Sequence, residues 1–599
     1  MLFALPRGFG YAYVKQGSGG DIGRRSQVFD VGMPHFRRRG HYSMLFQRRL
    51  SRCAIDAICL VLIVLISAEP YVLNLGFYSD DWAFLSHYAA MASTGPFELI
   101  REGLRVPALA RPLQGIYFVL LFETFGLWPL PYHLVNTSVI AICVVLLWVL
   151  LNNLTKDRRI SFAVAVTFAL LPQLSTVRVW YAAFQIPMSL VFFLIASLYE
   201  LRWARGGGTG SKVLSLLAGA CCLGFYETFG PLLVAIAVGS TFIRAWRVGA
   251  DRVSPWIWAA LPQFANVLLV LIAVALKGLV SERGPRLSVQ FFRNIVGWMI
   301  YPQHDWRINP GLNFKSGFIV HFWDTVFLPF RSTIRIVESG DIAGPLAAAA
   351  AIGIIVYWRL IGVSTPVPRR AWALRLMVIG VAVFCLGYST FLLSSAVALS
   401  PAGIANRTAV AAALGVAAIL VSLALLIASL LPVRAQAEAL AVGLAIMAAF
   451  ASIRIADVGH HWDAASAAQS RILRNVRTDL AGVKADTTII LDGICPYIGP
   501  GIVFETSWDV AGALTLALGK TVNGDIVTSR MNWNNEGLAS SIYGATTFYP
   551  YGEKLLIYNP VKRWLIPLND AGAATEYFAR TDRFVDPCQE SFVATGVPI

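Results

Sequence analysis

An apolar run from Cys53 to Leu75 gives way at Gly76 to the stretch Phe77-Tyr78-Ser79-Asp80-Asp81-Trp82. The run is long enough to cross a bilayer, which takes about 20 apolar residues. The acidic and aromatic residues that follow mark where the chain leaves the hydrocarbon, because ionised carboxylates are costly there. Reading this junction decides the fold. With Cys53–Leu75 as a membrane helix, Asp80 and Asp81 stand at a membrane edge, and the rest of the chain reads as a frame holding them at one surface. A simpler role for the pair is a helix N-terminus, where free N–H groups and the helix dipole favour aspartate.

Composition agrees with a membrane frame. The chain of 599 residues is 57% hydrophobic and 14% charged, against about 25% charged in soluble domains. Its formal net charge of +15 comes from Lys and Arg placed in short segments between apolar stretches. That is the pattern of cytoplasmic membrane loops and not of a nucleic-acid-binding stripe. Of eight cysteines, six (Cys53, Cys59, Cys143, Cys221, Cys222, Cys385) lie in apolar stretches, with no zinc-ligand spacing. Cys495 and Cys588 lie in the polar tail and are expected to pair if it faces an oxidising compartment.

Residues 1–52 are basic and read as a cytoplasmic tail, since the apolar run after them starts too late and is too long for a cleaved signal peptide. The first span then runs outward and delivers the Asp pair to the outer face. Residues 113–127 are apolar but short for a span, and counting them as one would put Lys156, Arg158 and Arg159 outside. Read instead as a helix lying on the outer surface, they leave about eleven spans, N-terminus inside and C-terminus outside. These cover roughly 53–75, 131–153, 160–175, 185–201, 213–227, 231–246, 255–276, 343–361, 376–394, 409–431 and 436–455. The expected domains are the tail 1–52, a transmembrane domain 53–456 with long outer loops at 76–131 and 277–342, and an outer α/β domain 457–599. In the last, 463–483 reads as helix, and Thr487–Leu491 and Lys554–Tyr558 read as strands.

The loop 76–131 is too long for a connector and collects chemistry. It holds the Asp pair, an amphipathic stretch with Phe84, Leu85, Tyr88 and Met91, then Arg111-Pro112-Leu113, and closes on Pro131-Tyr132-His133-Leu134-Val135-Asn136. Singly these have plain readings: Trp82 and Tyr132 as interfacial anchors, Pro112 as the first residue of a helix, Asn136 as a polar contact between helices. Together with Phe125-Gly126-Leu127-Trp128-Pro129, they resemble the opening module of GT-C glycosyltransferases, in particular the protein O-mannosyltransferase-like and bacterial envelope-glycan branch. The motif resemblance covers about residues 50–185. Two features depart from the family: the turn Ser175–Trp180 lacks a Pro-His pair, and Tyr226-Glu227 stands where relatives carry Lys-Glu.

The resemblance implies an integral membrane enzyme moving a sugar from a polyprenyl-phosphate donor to an envelope glycan or lipid at the outer face of a bacterial inner membrane. It implies Asp80 or Asp81 as the base, the first of the pair being favoured, and no cofactor or metal ion, although an Asp pair in a wet cleft can hold a divalent cation. Arg111, Arg178 and Arg407 are the candidate partners of the donor phosphate, a guanidinium matching phosphate oxygens bidentately; Arg283, Arg286 and Arg293 are weaker ones. Trp82, His133, Glu227 and Asn406 are candidate substrate contacts. Two other classes stay open: a transporter or flippase for lipid-linked sugars, which wants charges at mid-bilayer, and a non-catalytic assembly protein that binds envelope polymers.

Overall fold

A computed structural model describes residues 38–104, 111–249, 253–280, 322, 325–339, 343–362, 370–390, 403–528, 531–542 and 545–579. The chain divides into two units, residues 1–54 and 55–599. Within the first, only the beginning of the first helix is described.

The helices, numbered in chain order, are α1 (Arg38–Val72), α2 (Asp80–Met91), α3 (Pro96–Gly103), α4 (Pro112–Phe125), α5 (Pro129–Thr155), α6 (Arg158–Ala169), α7 (Ser175–Val179) and α8 (Gln185–Ala204). Next come α9 (Thr209–Phe225), α10 (Gly230–Gly249), α11 (Val253–Ala260), α12 (Phe264–Val280), α13 (Leu328–Ser339), α14 (Ala343–Ile361), α15 (Arg370–Ser389), α16 (Val410–Ala428) and α17 (Val433–Asp479). Among the described residues nine helices are long and apolar enough to cross a membrane. One bent pair, Arg158–Ala169 with Pro172–Val179, adds a tenth candidate. The bend of 55° falls where Pro172 removes a backbone donor. The shorter apolar helix α9 coincides with the remaining expected span. The protein is thus a polytopic α-helical membrane protein with a C-terminal α/β region.

Helix α4 has 14 residues and ends at Gly126, with φ near 56°. At 1.5 Å per residue it is about 21 Å long, too short for a bilayer core of about 30 Å. Instead it packs with α2 and α3 around an aromatic core of their own: Phe77, Leu85, Tyr88, Leu99, Phe118, Phe122, Tyr132 and Tyr181 are all buried. At the opposite end of the bundle, basic side chains serve helix C-termini, as expected for cations beside orphan carbonyls. Arg205 donates to Asn153 O and Arg244 to Trp203 O, at 2.7 and 2.6 Å. At that end too, the buried carboxylate of Asp56 is shared by Arg158 and Arg359.

The sequence expects span 436–455 and a separate helix from 463. The structure has one helix of 47 residues, α17, running from the bundle into the α/β region. No proline interrupts residues 456–462, so nothing stops the helix. Its Gly459 is required by contact: a Cβ there would lie 2.4 Å from the ring of Tyr71.

In the α/β region, β1 (Thr488–Leu491) lies parallel to both β2 (Asn523–Ile526) and β3 (Leu555–Asn559), and β4 (Trp564–Pro567) closes the edge antiparallel, giving the order β2-β1-β3-β4. Ile489, Ile490 and Leu491 are all buried, as a strand covered on both faces requires. The crossover from β1 to β2 carries helix α18 (Ser507–Leu518), which the capping box of Thr506 and Asp509 starts. Cys495 takes part in a disulfide; its expected partner Cys588 lies outside the described residues, as do Arg283, Arg286 and Arg293.

Candidate functional site

The junction Gly76–Trp82 is held from four directions. The Tyr78 hydroxyl donates to Trp462 O on α17 at 2.8 Å, and the Trp180 indole donates to Tyr78 O at 3.0 Å. His133 Nε2 meets Gly76 O at 3.0 Å, and since a carbonyl only accepts, that nitrogen carries the proton. Ser79 has φ near 48°, a region costly for a residue with a side chain. Its hydroxyl is pinned to Glu505 Oε1 at 2.7 Å, while Glu505 Oε2 accepts from the Tyr497 hydroxyl at 2.5 Å. Backbone strain of about 1–3 kcal/mol persists only where surroundings hold it, and it concentrates at functional sites.

The two aspartates have different fates. Asp81 is 0% exposed. Its Oδ2 accepts from Tyr78 N at 2.9 Å and its Oδ1 from Ala182 N at 2.8 Å, so it staples the junction to the chain after α7. Burial pushes its carboxyl well above the usual carboxylate range, against the pull of those amides. Asp80, one residue earlier, is half-buried at the first turn of α2 and accepts from the Trp508 indole N–H at 2.8 Å. It is the member of the pair that is partly exposed.

Trp508 lies in the first turn of α18, which lies directly on the start of α2. Gly512 permits this, because a Cβ there would stand 2.5 Å from Trp82 O. The α/β region therefore builds one wall of the site. Neither Glu505 nor Trp508 belongs to a motif; the one legible sign nearby was the Thr506–Asp509 capping pattern.

The three candidate arginines are also unlike. Arg111 makes a two-pronged pair with Glu227, Nε to Oε2 at 2.9 Å and Nη2 to Oε1 at 2.8 Å, and lies over the Tyr226 ring at 4.1 Å. Two residues expected to contact substrate thus contact each other. Arg111→Gln is expected to cost about 2–3 kcal/mol, below the loss for a fully dry pair. Adding Glu227→Gln should recover most of it in a double-mutant cycle read by thermal unfolding. Arg178 is 3% exposed. It donates to Ala169 O across the break between α6 and α7, and to Ser67 Oγ at 3.3 Å. The segment Ser175–Tyr181, expected to join two spans on the outer side, is buried throughout, with Arg178 supplying a donor to Ala169 O at the end of α6. Arg407 is half-buried with its guanidinium 4.7 Å from the centre of the Trp180 ring, and no hydrogen bond or ion pair is described for it. Asn406 beside it is fully buried, and its backbone N–H closes a turn on Gly403 O, the carbonyl that also receives Thr176 Oγ1. Trp82 packs edge-on against Phe77.

Among the described residues Asp80 is a partly exposed carboxylate, and Arg407 is a cation that stands on Trp180, the residue whose indole holds Tyr78 O, two positions before Asp80. A carboxylate can take a proton from a hydroxyl, and a guanidinium can stabilise an anionic oxygen. Among the described residues no group of three His, Cys, Asp or Glu side chains is placed to hold a metal ion.

No family model matches the chain, and no curated protein matches it. Among solved structures, the chain is similar to ArnT from Cupriavidus metallidurans, in a crystal structure bound to undecaprenyl phosphate. The identity is 15% and the TM-score 0.34, over 79% of this chain and 85% of that one.

Proposed function

We propose that the protein is an inverting glycosyltransferase of the GT-C type. It would move a sugar from a polyprenyl-phosphate donor onto an envelope glycan or lipid acceptor, at the outer face of a bacterial inner membrane. The observation that carries this reading is the split within the aspartate pair: Asp81 is spent on backbone amides, and Asp80 is left reachable and aimed by Trp508. A helix cap or a structural staple needs one carboxylate; the second is then available for chemistry. The motif resemblance of residues 50–185 supports the donor class. The basic side chains at the opposite end of the bundle support an N-terminus in the cytoplasm and a periplasmic α/β region.

In this reading Asp80 accepts the proton of the acceptor hydroxyl. The oxygen forms its bond to the anomeric carbon while the bond from that carbon to the lipid phosphate breaks. The phosphate leaves with the electron pair, so no strong general acid is needed. One base and direct displacement invert the anomeric centre; retention would need a placed nucleophile. Arg407 faces the departing phosphate, where its charge is worth most in a desolvated site. Arg111 supports the site through Glu227, and Arg178 through the helix break.

Arg407→Gln is expected to raise the KM for the lipid-linked donor by about tenfold or more, with Arg407→Lys intermediate, because lysine keeps the charge and loses the fork. Sugar turnover in right-side-out and inside-out vesicles tests the reading as a whole. Product is expected only where the acceptor meets the outer face. Donor crossing the bilayer without glycan being formed would replace this reading with lipid-sugar transport.

A further inference from the structure

A cavity of about 340 Å³ opens where the parallel strands β1 and β3 end, against the second half of α17. Its place follows from the sheet. The chain passes from β1 to β2 on one side and returns to β3 on the other, so the strand order reverses at the boundary of β1 and β3. In open α/β sheets the crevice outside the carboxyl ends of two such strands is where ligands bind. Gly493 and Ile494 after β1, with Pro560 and Val561 after β3, line this one. Its volume falls within the range of small-ligand sites, about 300–1,000 Å³.

Helix α17 supplies the opposite wall. Ala468, Arg471, Ile472 and Asn475 all line the cavity, at spacings of three and four that make one helix face. Arg471 is exposed, and among the described residues no hydrogen bond or ion pair to it is found. It is the single ionisable group of the lining, because Cys495 is held in a disulfide. The acids on the neighbouring elements do not line the cavity and have partners of their own. On α17, Asp463 accepts from Asn74 Nδ2 at 3.3 Å, and Asp479 pairs with Arg563. After β1, Asp492 is buried and accepts from Asn559 Nδ2 at 3.3 Å. Glu505 accepts from Ser79 and Tyr497. Arg474 and Lys562, close by in the chain, are exposed cations. The cavity therefore offers one uncompensated positive charge.

Its other polar group is set for a different task. Asn475 Nδ2 donates to Pro560 O at 2.8 Å, which fixes the amide and leaves its Oδ1 to accept. An amide oxygen takes a donor such as a hydroxyl. The remaining walls are aliphatic, with Ile472, Ile498, Val503 and Val561, and no aromatic ring lines the cavity. A planar aromatic ligand finds nothing to stack on. A compact ring with C–H faces, hydroxyls and one anionic group meets every wall.

We propose that this cavity binds an acidic sugar, a single ring bearing a carboxylate or a phosphate, with Arg471 on the anion and Asn475 Oδ1 on a hydroxyl. A guanidinium forks onto either anion. The cavity shares no lining residue with the Asp80 junction, and the proposal does not depend on the glycosyl-transfer reading.

The test is a saturation-transfer NMR titration of the detergent-solubilised full-length protein with D-glucuronate, D-glucose 6-phosphate and D-glucose. At least one of the acidic sugars is expected to bind about tenfold more tightly than glucose, and which one does names the anion. Arg471→Gln should remove that preference. Ala468→Leu fills the cavity and leaves Arg471 in place, so it should abolish binding of the acidic sugar while thermal unfolding shows the fold intact. Asp80→Asn should leave binding unchanged, which separates the cavity from the transfer site. Equal binding of all three sugars, no saturable binding of any below about 10 mM, or wild-type binding by folded Ala468→Leu overturns the proposal. So does full displacement of the acidic sugar by an equal concentration of inorganic phosphate, which would make a free anion the ligand.

Discussion

Asp80→Asn is expected to lower sugar transfer by about a hundredfold to ten-thousandfold, the range supplied by a positioned general base, with the protein's thermal stability unchanged. The substitution is chosen for what it preserves. An asparagine oxygen still accepts the Trp508 indole N–H, now 2.8 Å from Asp80 Oδ1, so the contact between α2 and α18 survives. Only the basicity is lost. Asp80→Ala is a poorer test, because it removes base and contact together. Trp508→Phe supplies the complement: the carboxylate stays but its orientation is released, and turnover should fall with little change in KM. If Asp80→Asn vesicles make glycan at the wild-type rate, Asp80 is a helix-terminal residue and the enzyme reading falls with it.

The second large effect is on stability. Asp81→Ala leaves the buried amides of Tyr78 and Ala182 without acceptors. At about 1–3 kcal/mol for each orphaned buried donor, the expected loss is about 2–6 kcal/mol. Asp81→Asn keeps one oxygen and should lose less. The two variants also separate on pH. Burial raises the Asp81 carboxyl above its ordinary value of 3.8. The folded protein therefore holds a proton where the unfolded chain has released one, and stability falls as pH rises between the two values. The contribution is fully present below the unfolded value and is lost as pH climbs through the folded one. Asp81→Asn, which does not titrate, should remove that part of the slope. Thermal unfolding of the detergent-solubilised protein from pH 4 to pH 8 reads both effects. A wild-type profile whose slope Asp81→Asn leaves unaltered would show that burial does not control this carboxyl.

Much of the architecture was legible in the sequence. Apolar runs of bilayer length give the spans because hydrocarbon tolerates no unpaired backbone and few charges, so the solvent itself imposes the pattern. The denial of span status to 113–127 follows from its length and from the cations at Lys156, Arg158 and Arg159, and α4 stops at Phe125, just before Gly126. Strands β1 and β3 fall where continuous β-branched and aliphatic runs lie. The helix start at Asp80 was also plain, since aspartates suit a first turn. What one-dimensional reasoning placed wrongly was the break before α17's second half, where no proline stands.

The identities of the working residues were decided elsewhere. Asp80 and Asp81 are adjacent and chemically alike, and their local sequence does not distinguish them. Their difference comes from Ala182 on one side and Trp508, 428 residues away, on the other. Arg111, Arg178 and Arg407 are likewise equivalent as letters. Glu227 claims the first, a helix break claims the second, and the third is left on the face of Trp180. Spans are set by the affinity of each residue for its surroundings, a property carried along the chain one residue at a time. The role of a charge is set by which opposite charge, donor or ring lies within about 3–5 Å of it, and only the folded arrangement brings those partners within reach.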